Sequence, residues 1–173
     1  MTQEPAAQDP PLSSEQEDTQ QGKYLSFHLA GEEYGIEIRY VTEIVNLQKI
    51  TKVVDMPDFI RGVINLRGKL VPVMDVRMRF LMSPRDFDDR TCIIVVHVNE
   101  ASMGLLVDEV SEVADIAEDQ IEPPPRTSAT VCSRYIQGMA KTGQEVKILL
   151  NVPHLLYDEP VEPCSQEEVI VMP

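Results

Sequence analysis

The side chains able to do covalent chemistry are few and scattered. Three histidines (His28, His97, His154) and three cysteines (Cys92, Cys132, Cys164) are spread over 173 residues. A hydrolytic triad needs Ser or Cys, His and an acid brought together, and no nucleophile-elbow pattern is present. The Gly62 to Gly68 spacing lacks the Lys-Ser/Thr ending of a phosphate loop. No Cys-x-x-Cys pair occurs, so neither a zinc site nor a redox motif is indicated, and the thiols read as reduced. Asp86, Asp88 and Asp89 read as a solvated loop, and Asp115, Glu118 and Asp119 match no calcium loop. The expectation is a protein with no catalytic residue, no metal and no cofactor.

Two charged residues stand out for recognition instead. Arg67 lies in Asn65-Leu66-Arg67-Gly68, at the tip of a hairpin between two apolar strands. A guanidinium there is free to meet a partner's carboxylate or backbone carbonyls. Glu43 is an acid flanked by Val41, Ile44 and Val45. Both also read as ordinary outward-facing residues.

The elements that must hold these residues are mostly short strands. Tyr24 to Leu29 alternates, with Leu25, Phe27 and Leu29 on one face and Tyr24, Ser26 and His28 on the other. Gly31 to Glu33 is a turn, and Tyr34 to Ile38 returns. Arg39 to Val45 fits a helical turn or a strand, and Lys49 to Val54 is a further strand. Gly62 to Leu66 and Leu70 to Met74 form a hairpin around Arg67-Gly68-Lys69, with Gly at a positive φ. Thr91 to Asn99, Ser102 to Val107, Val110 to Ile116, Ile136 to Ala140 and Glu145 to Val152 are strands in the second half. Cys92 to Val96 is apolar on both faces and so lies between layers. Short helices fit Val76 to Leu81 and Val152 to Tyr157.

These elements recur. Tyr34 to Val45 lies on Met103 to Ala114 at an offset of 69, sharing Gly35/Gly104, Val41/Val110 and Glu43/Glu112. Phe59 to Gly62 lies on Tyr135 to Gly138, and Asp75-Val76 on Asn151-Val152, at an offset of 76. The seven extra residues fall around Pro123 to Pro125. A duplicated unit follows, with copies over roughly 23–90 and 91–157. The fold class is all-β with short helices: two pseudo-symmetric small β-barrel subdomains, packed face to face or exchanging strands, with a groove between them. One such barrel alone would have a thin core, since aromatic residues make up 5% of the chain and Trp is absent.

The net charge of −14 is unevenly placed. Residues 1–22 and 158–173 carry five acids each and no bases, and read as acidic, disordered tails. Residues 39–90 are net +3 and residues 91–126 net −7, which suggests different partners for the two halves. The overall charge argues against nucleic acid or an anionic membrane surface as partner. No apolar run exceeds five residues, so no membrane span is expected, and the N-terminus does not read as a signal peptide.

The run Phe59-Ile-Arg-Gly-Val-Ile-Asn-Leu-Arg-Gly68, followed by Val71-Pro-Val-Met-Asp-Val-Arg77, closely resembles the signature of CheW-like domains. Tyr34-Gly35-Ile36 with Val41 and Glu43 belongs to the same resemblance, as does Gly104 to Asp108 with Val110 to Val113. It runs in order over residues 23–157. The resemblance implies two strand-swapped, SH3-like or OB-like β-barrel subdomains and a non-catalytic cytoplasmic scaffold. Such a scaffold couples the cytoplasmic tips of methyl-accepting chemoreceptors to a CheA-type histidine kinase in chemotaxis, and meets the membrane only through the receptors. Carried over residue by residue, it implies receptor contacts at Ile36, Val41, Glu43, Gly62 and Arg67, and kinase contacts at Val110 and Val113. The Ile121 to Ser133 segment departs from the family pattern. The alternatives are a small-molecule binder in the inter-barrel groove and a CheW-like adaptor serving a pilus or another non-flagellar pathway.

Overall fold

The structure is a computed structural model that describes residues 20–124 and 134–158. The expected tails, apart from Gln20 to Gly22 and Asp158, lie outside the described residues, as do Pro125 to Ser133, Cys132 and Cys164.

Eleven strands among the described residues form two sheets. The first half supplies β1 (Lys23–Leu29), β2 (Glu32–Glu37), β3 (Val41–Asn46), β4 (Ile60–Leu66) and β5 (Lys69–Asp75). The second supplies β6 (Cys92–Val98), β7 (Ala101–Val107), β8 (Glu109–Asp115), β9 (Ile121–Glu122), β10 (Ile136–Thr142) and β11 (Glu145–Leu150). Helices α1 (Val76–Arg79) and α2 (Val152–Tyr157) follow β5 and β11. Asp75 caps α1 by accepting from the amides of Arg77 and Met78, and Asn151 caps α2 by accepting from that of His154. The ambiguous Arg39 to Val45 stretch resolves into one 3-10 turn, Ile38–Tyr40, and then β3. Lys49 to Val54 forms no strand. It is a strap whose one sheet-like contact is Thr51 bridging to Val63.

Sheet order shows how the copies are interleaved. One sheet runs β8-β1-β2-β11-β10-β9 and the other β3-β6-β7-β5-β4. Each therefore takes two strands from one copy and the remainder from the other. The exchange obeys the repeat: Leu25 pairs with Val113 in β1–β8, and Ile94 with Ile44 in β6–β3. The parallel joints also correspond, Leu149 opposite Gly35 and Val73 opposite Gly104. A Cβ on Gly104 would lie 2.7 Å from Ile93 Cγ2 and one on Gly35 2.9 Å from Leu149 Cδ2, so each joint is close-packed around a glycine.

Three cores result. Inside one sheet Ile64, Val71, Val73, Ile93, Val95 and Leu106 pack with Val45. Residues of both edge strands, β3 and β4, meet there, so that sheet curls around its contents. Inside the other, Tyr24, Ile116, Ala140 and Leu149 form a smaller cluster. The largest core lies between the sheets and includes Leu25, Phe27, Leu29, Ile36, Ile94, Val96, Leu105 and both helices. β1 is thus buried on both faces rather than one: Tyr24 and Ser26 are as covered as Leu25 and Phe27. The scarce aromatics are concentrated in the shared core. Phe27, Tyr34, Phe80 and Tyr135 contact in series with ring centroids 5.7–5.9 Å apart. Each such pair adds about 1 kcal/mol beyond its burial.

Candidate functional site

The β4–β5 hairpin turns through Arg67 (φ 51°) and Gly68 (φ 85°), both in the left-handed region. Two-residue turns of this kind favour Asn-Gly, because a side chain at positive φ is strained. Five other non-glycine residues, Ala30 and Leu81 among them, also take a positive φ, so it is the contact made by Arg67 rather than its turn that marks it. Asn65 Oδ1 accepts from the Gly68 amide at 2.8 Å and pins the turn.

Arg67 Nη2 donates to Glu43 Oε1. The two residues singled out independently in the sequence are therefore one ion pair, joining the hairpin tip to edge strand β3. Its members differ in exposure: the Arg67 side chain is 76% exposed and that of Glu43 29%. Screening by water limits the stabilising worth of such a pair to below about 1 kcal/mol. Its larger effect is orientation, since Glu43 holds a guanidinium that faces solvent. Ile44 and Leu70 lie exposed nearby in sequence on β3 and β5.

The other expected contact residues are placed differently. Ile36 is 0% exposed within the inter-sheet core, so it can touch no partner and serves packing. Val41 and Val110 are half-buried against that same core. Gly62 is buried; its φ of 148° and the Thr51 carbonyl, 2.1 Å from where a Cβ would sit, show that it admits the strap. Val113, opposite Leu25 of β1 on edge strand β8, is 54% exposed.

Other charged residues form sites that motif reading did not single out. Asp108, at the end of β7, accepts from Arg77 Nε (2.8 Å) and Nη2 (2.5 Å), from the Ala30 amide (3.0 Å) and from Arg85 (3.3 Å). Burial pushes the Asp108 carboxyl up, but Arg77 and the Ala30 amide outweigh it and hold it below its ordinary value. Arg85 also pairs with Asp88, whose carboxylate accepts from the amides of Arg90 and Thr91; the loop is exposed, as expected, and Asp88 caps a turn within it. Arg79 is buried between the rings of Phe59 and Tyr135, 4.4 and 4.8 Å from their centroids. It donates to the carbonyls of Leu155 and Asp158 at the end of α2, and burial pulls its guanidinium down from its ordinary value. Lys147, 3% exposed, is a second buried cation, close to Ser26, Glu33 and Glu112.

The repeat alignment carried a signal for both cations. At the offset of 76, Arg79 falls on Leu155 and Lys147 on Val71. A charge standing where the other copy keeps an aliphatic residue marks a buried position.

A cleft of about 840 Å³ opens where the copies meet, lined in part by Lys23, Glu37, Arg39, Tyr40, His97 and Pro153. None of the expected receptor residues lines it. Its mixed charged lining differs from the mostly apolar walls of small-molecule sites, which weighs against the ligand-binding alternative. Among the described residues no group of three or more His, Cys, Asp or Glu is arranged to hold a metal ion.

Comparison with known proteins agrees with this architecture. The CheW-like domain family model matches residues 23–159. The chain is 37% identical over 137 residues to the chemotaxis protein CheW of Klebsiella aerogenes, covering 79% of this chain and 82% of that one. It is 29% identical over 144 residues to CheW of Helicobacter pylori, covering 83% and 87%. The crystal structure of the scaffolding protein TtCheW from Thermoanaerobacter tengcongensis superposes with a TM-score of 0.74 at 38% identity, covering 83% of this chain and 97% of that one. By sequence and by fold, the chain belongs to the CheW-like domain family and is a non-catalytic coupling adaptor of chemotaxis.

Proposed function

We propose that the chain works in the cytoplasm, joining the tips of transmembrane chemoreceptors to a CheA-type histidine kinase. In this reading the Glu43–Arg67 pair meets the receptor and the β8 strand around Val113 meets the kinase. The observation that carries it is the pair itself: a half-buried carboxylate orients an exposed guanidinium on a strained turn. Val41 and Gly62 support that face from beneath, Val41 by packing on the inter-sheet core and Gly62 by admitting the strap. Val110 supports the β8 face in the same way. Among the described residues no helix is long and apolar enough to cross a membrane; in this reading contact with the bilayer runs through the receptor.

Signal transfer needs a difference in affinity or pose between receptor states. Arg67→Ala tests the receptor face. Folding stability should change by only a few tenths of a kcal/mol, because the side chain is exposed and singly paired. Binding to a receptor-tip fragment should weaken about tenfold or more, the loss typical of a charge-assisted contact, while kinase binding stays. Calorimetric titration with each partner reads both effects. Unchanged receptor binding by Arg67→Ala would remove the pair from the interface.

A further inference from the structure

The duplication placed an acid at the same position of both copies, Glu43 on β3 and Glu112 on β8. Each is clasped by a base from the corresponding hairpin, but the clasps are inverted. In the first copy the base is outside: Arg67 is 76% exposed and its acid 29%. In the second the base is inside: the Lys147 side chain is 3% exposed and that of Glu112 67%. Lys147 Nζ donates to Ser26 Oγ at 3.1 Å and to Glu112 Oε1 at 3.3 Å, and lies 3.4 Å from Glu33 Oε1. The sheet that runs from β3 to β4 keeps Val71 and Val95, both buried, at the positions where the other sheet has Lys147 and Ser26. A wholly apolar interior therefore serves this fold, and the ammonium is not needed to fill it. Burying one is costly unless it is paired. The lysine pairs with the largely buried Glu33 and, on its outer side, fixes the position of Glu112, a carboxylate that otherwise stands in water.

We propose that Glu112, held by Lys147, is the recognition carboxylate of a protein-docking face on β8. Its partner presents an arginine or lysine to Glu112 and reaches around the β8 edge to Val113, which points to the opposite face beside Leu25. The proposal rests on the coupling reading above and gives the chemistry of its second face. Charge supports the cationic partner: Glu109 and Asp115 share β8 with Glu112, and residues 91–126 are net −7. Position supports docking: β8 is the edge of its sheet, and Ser111, Glu112 and Val113 are all exposed. A pre-anchored carboxylate loses little side-chain freedom on binding. The two faces then offer opposite signs, Arg67 on one and Glu112 on the other, so that a surface complementary to one is repelled by the other.

The test uses the full chain with the regulatory domain of the CheA-type kinase as probe, titrated at about 50 and 300 mM salt. Glu112→Gln is expected to weaken binding about tenfold at the lower salt and to flatten the salt dependence. Glu100→Gln removes one acid from the same segment at the β6–β7 turn and should leave the affinity unchanged. Lys147→Met restores an apolar interior, and binding should weaken about threefold or more because the Glu112 carboxylate loses its anchor. Should Lys147→Met fail to fold, because Glu33 loses a partner, the Glu112→Gln result decides alone. Equal affinity and equal salt dependence for Glu112→Gln and the wild type overturn the proposal. So does a folded Lys147→Met that binds like the wild type. A wild-type chain that binds neither kinase nor receptor fragment overturns the coupling reading first, a result distinct from either.

Discussion

Replacing Gly62 by alanine is expected to cost about 4 kcal/mol of folding stability, through backbone strain and lost hydrogen bonds together. The new Cβ would lie 2.1 Å from the Thr51 carbonyl oxygen, a main-chain atom with no rotamer to escape through. The strap would have to lift, breaking the paired bonds between Thr51 and Val63 at 2.8 and 2.9 Å. At φ 148° any side chain is strained in addition. Leu47 and Ile50, which cover the core inside the β3–β4 sheet, would move with the strap. Urea denaturation measures the loss, and a value below about 1 kcal/mol would mean that the strap is not fixed against β4. Partner binding should fall along with the folded fraction, which separates this supporting residue from Arg67, where binding falls and stability does not.

Asp108→Asn is expected to lower stability by about 3 kcal/mol at pH 7, as for a mostly buried ion pair deprived of one charge. Arg77 and Asp108 side chains are only 14% and 12% exposed. Asparagine still accepts from the Ala30 amide but leaves the Arg77 guanidinium without its counter-charge. The sign of the pH dependence follows from the direction of the shift. The folded carboxyl titrates below its unfolded value of about 4, so its contribution is complete above that pH and is lost as pH falls through the lowered folded value. The gap between wild type and Asp108→Asn should therefore close on acidification, when both side chains are neutral. Denaturation midpoints at pH 7 and at about pH 2.5 test this. The gap should be narrower at the lower pH, and a gap equally wide at both would trace the loss to packing rather than to charge.

Most strands, the hairpin holding Arg67 and the duplication were legible because they rest on local patterns: alternation, a turn glycine, two collinear offsets. Strand exchange was less so, since pairing partners are set by long-range packing. The Lys49 to Val54 stretch has strand-like composition, yet it lies along β4 with a single bridge, because Gly62 bends there and the ladder cannot continue. Alternation puts Tyr24 and Ser26 on the face opposite Leu25 and Phe27 but does not say that this face is buried too, which follows from a sheet that curls around a second interior. The Glu43–Arg67 contact joins residues 24 apart and depends on that curl. Ile36 belongs to the family pattern as packing, which a motif match cannot distinguish from contact.

The interleaving of the copies also bears on ancestry. Neither sheet can be completed from one copy, because β1 needs β8 and β6 needs β3. An unduplicated unit of about 70 residues would leave apolar strand edges unpaired and too small a core to fold alone. Two identical units could satisfy each other by trading third strands, giving a symmetric homodimer with the present architecture. Fusion of the two genes would then have freed each half to diverge. The inverted clasps, Arg67 outside in one half and Lys147 inside in the other, are the kind of asymmetry that an obligate homodimer cannot encode.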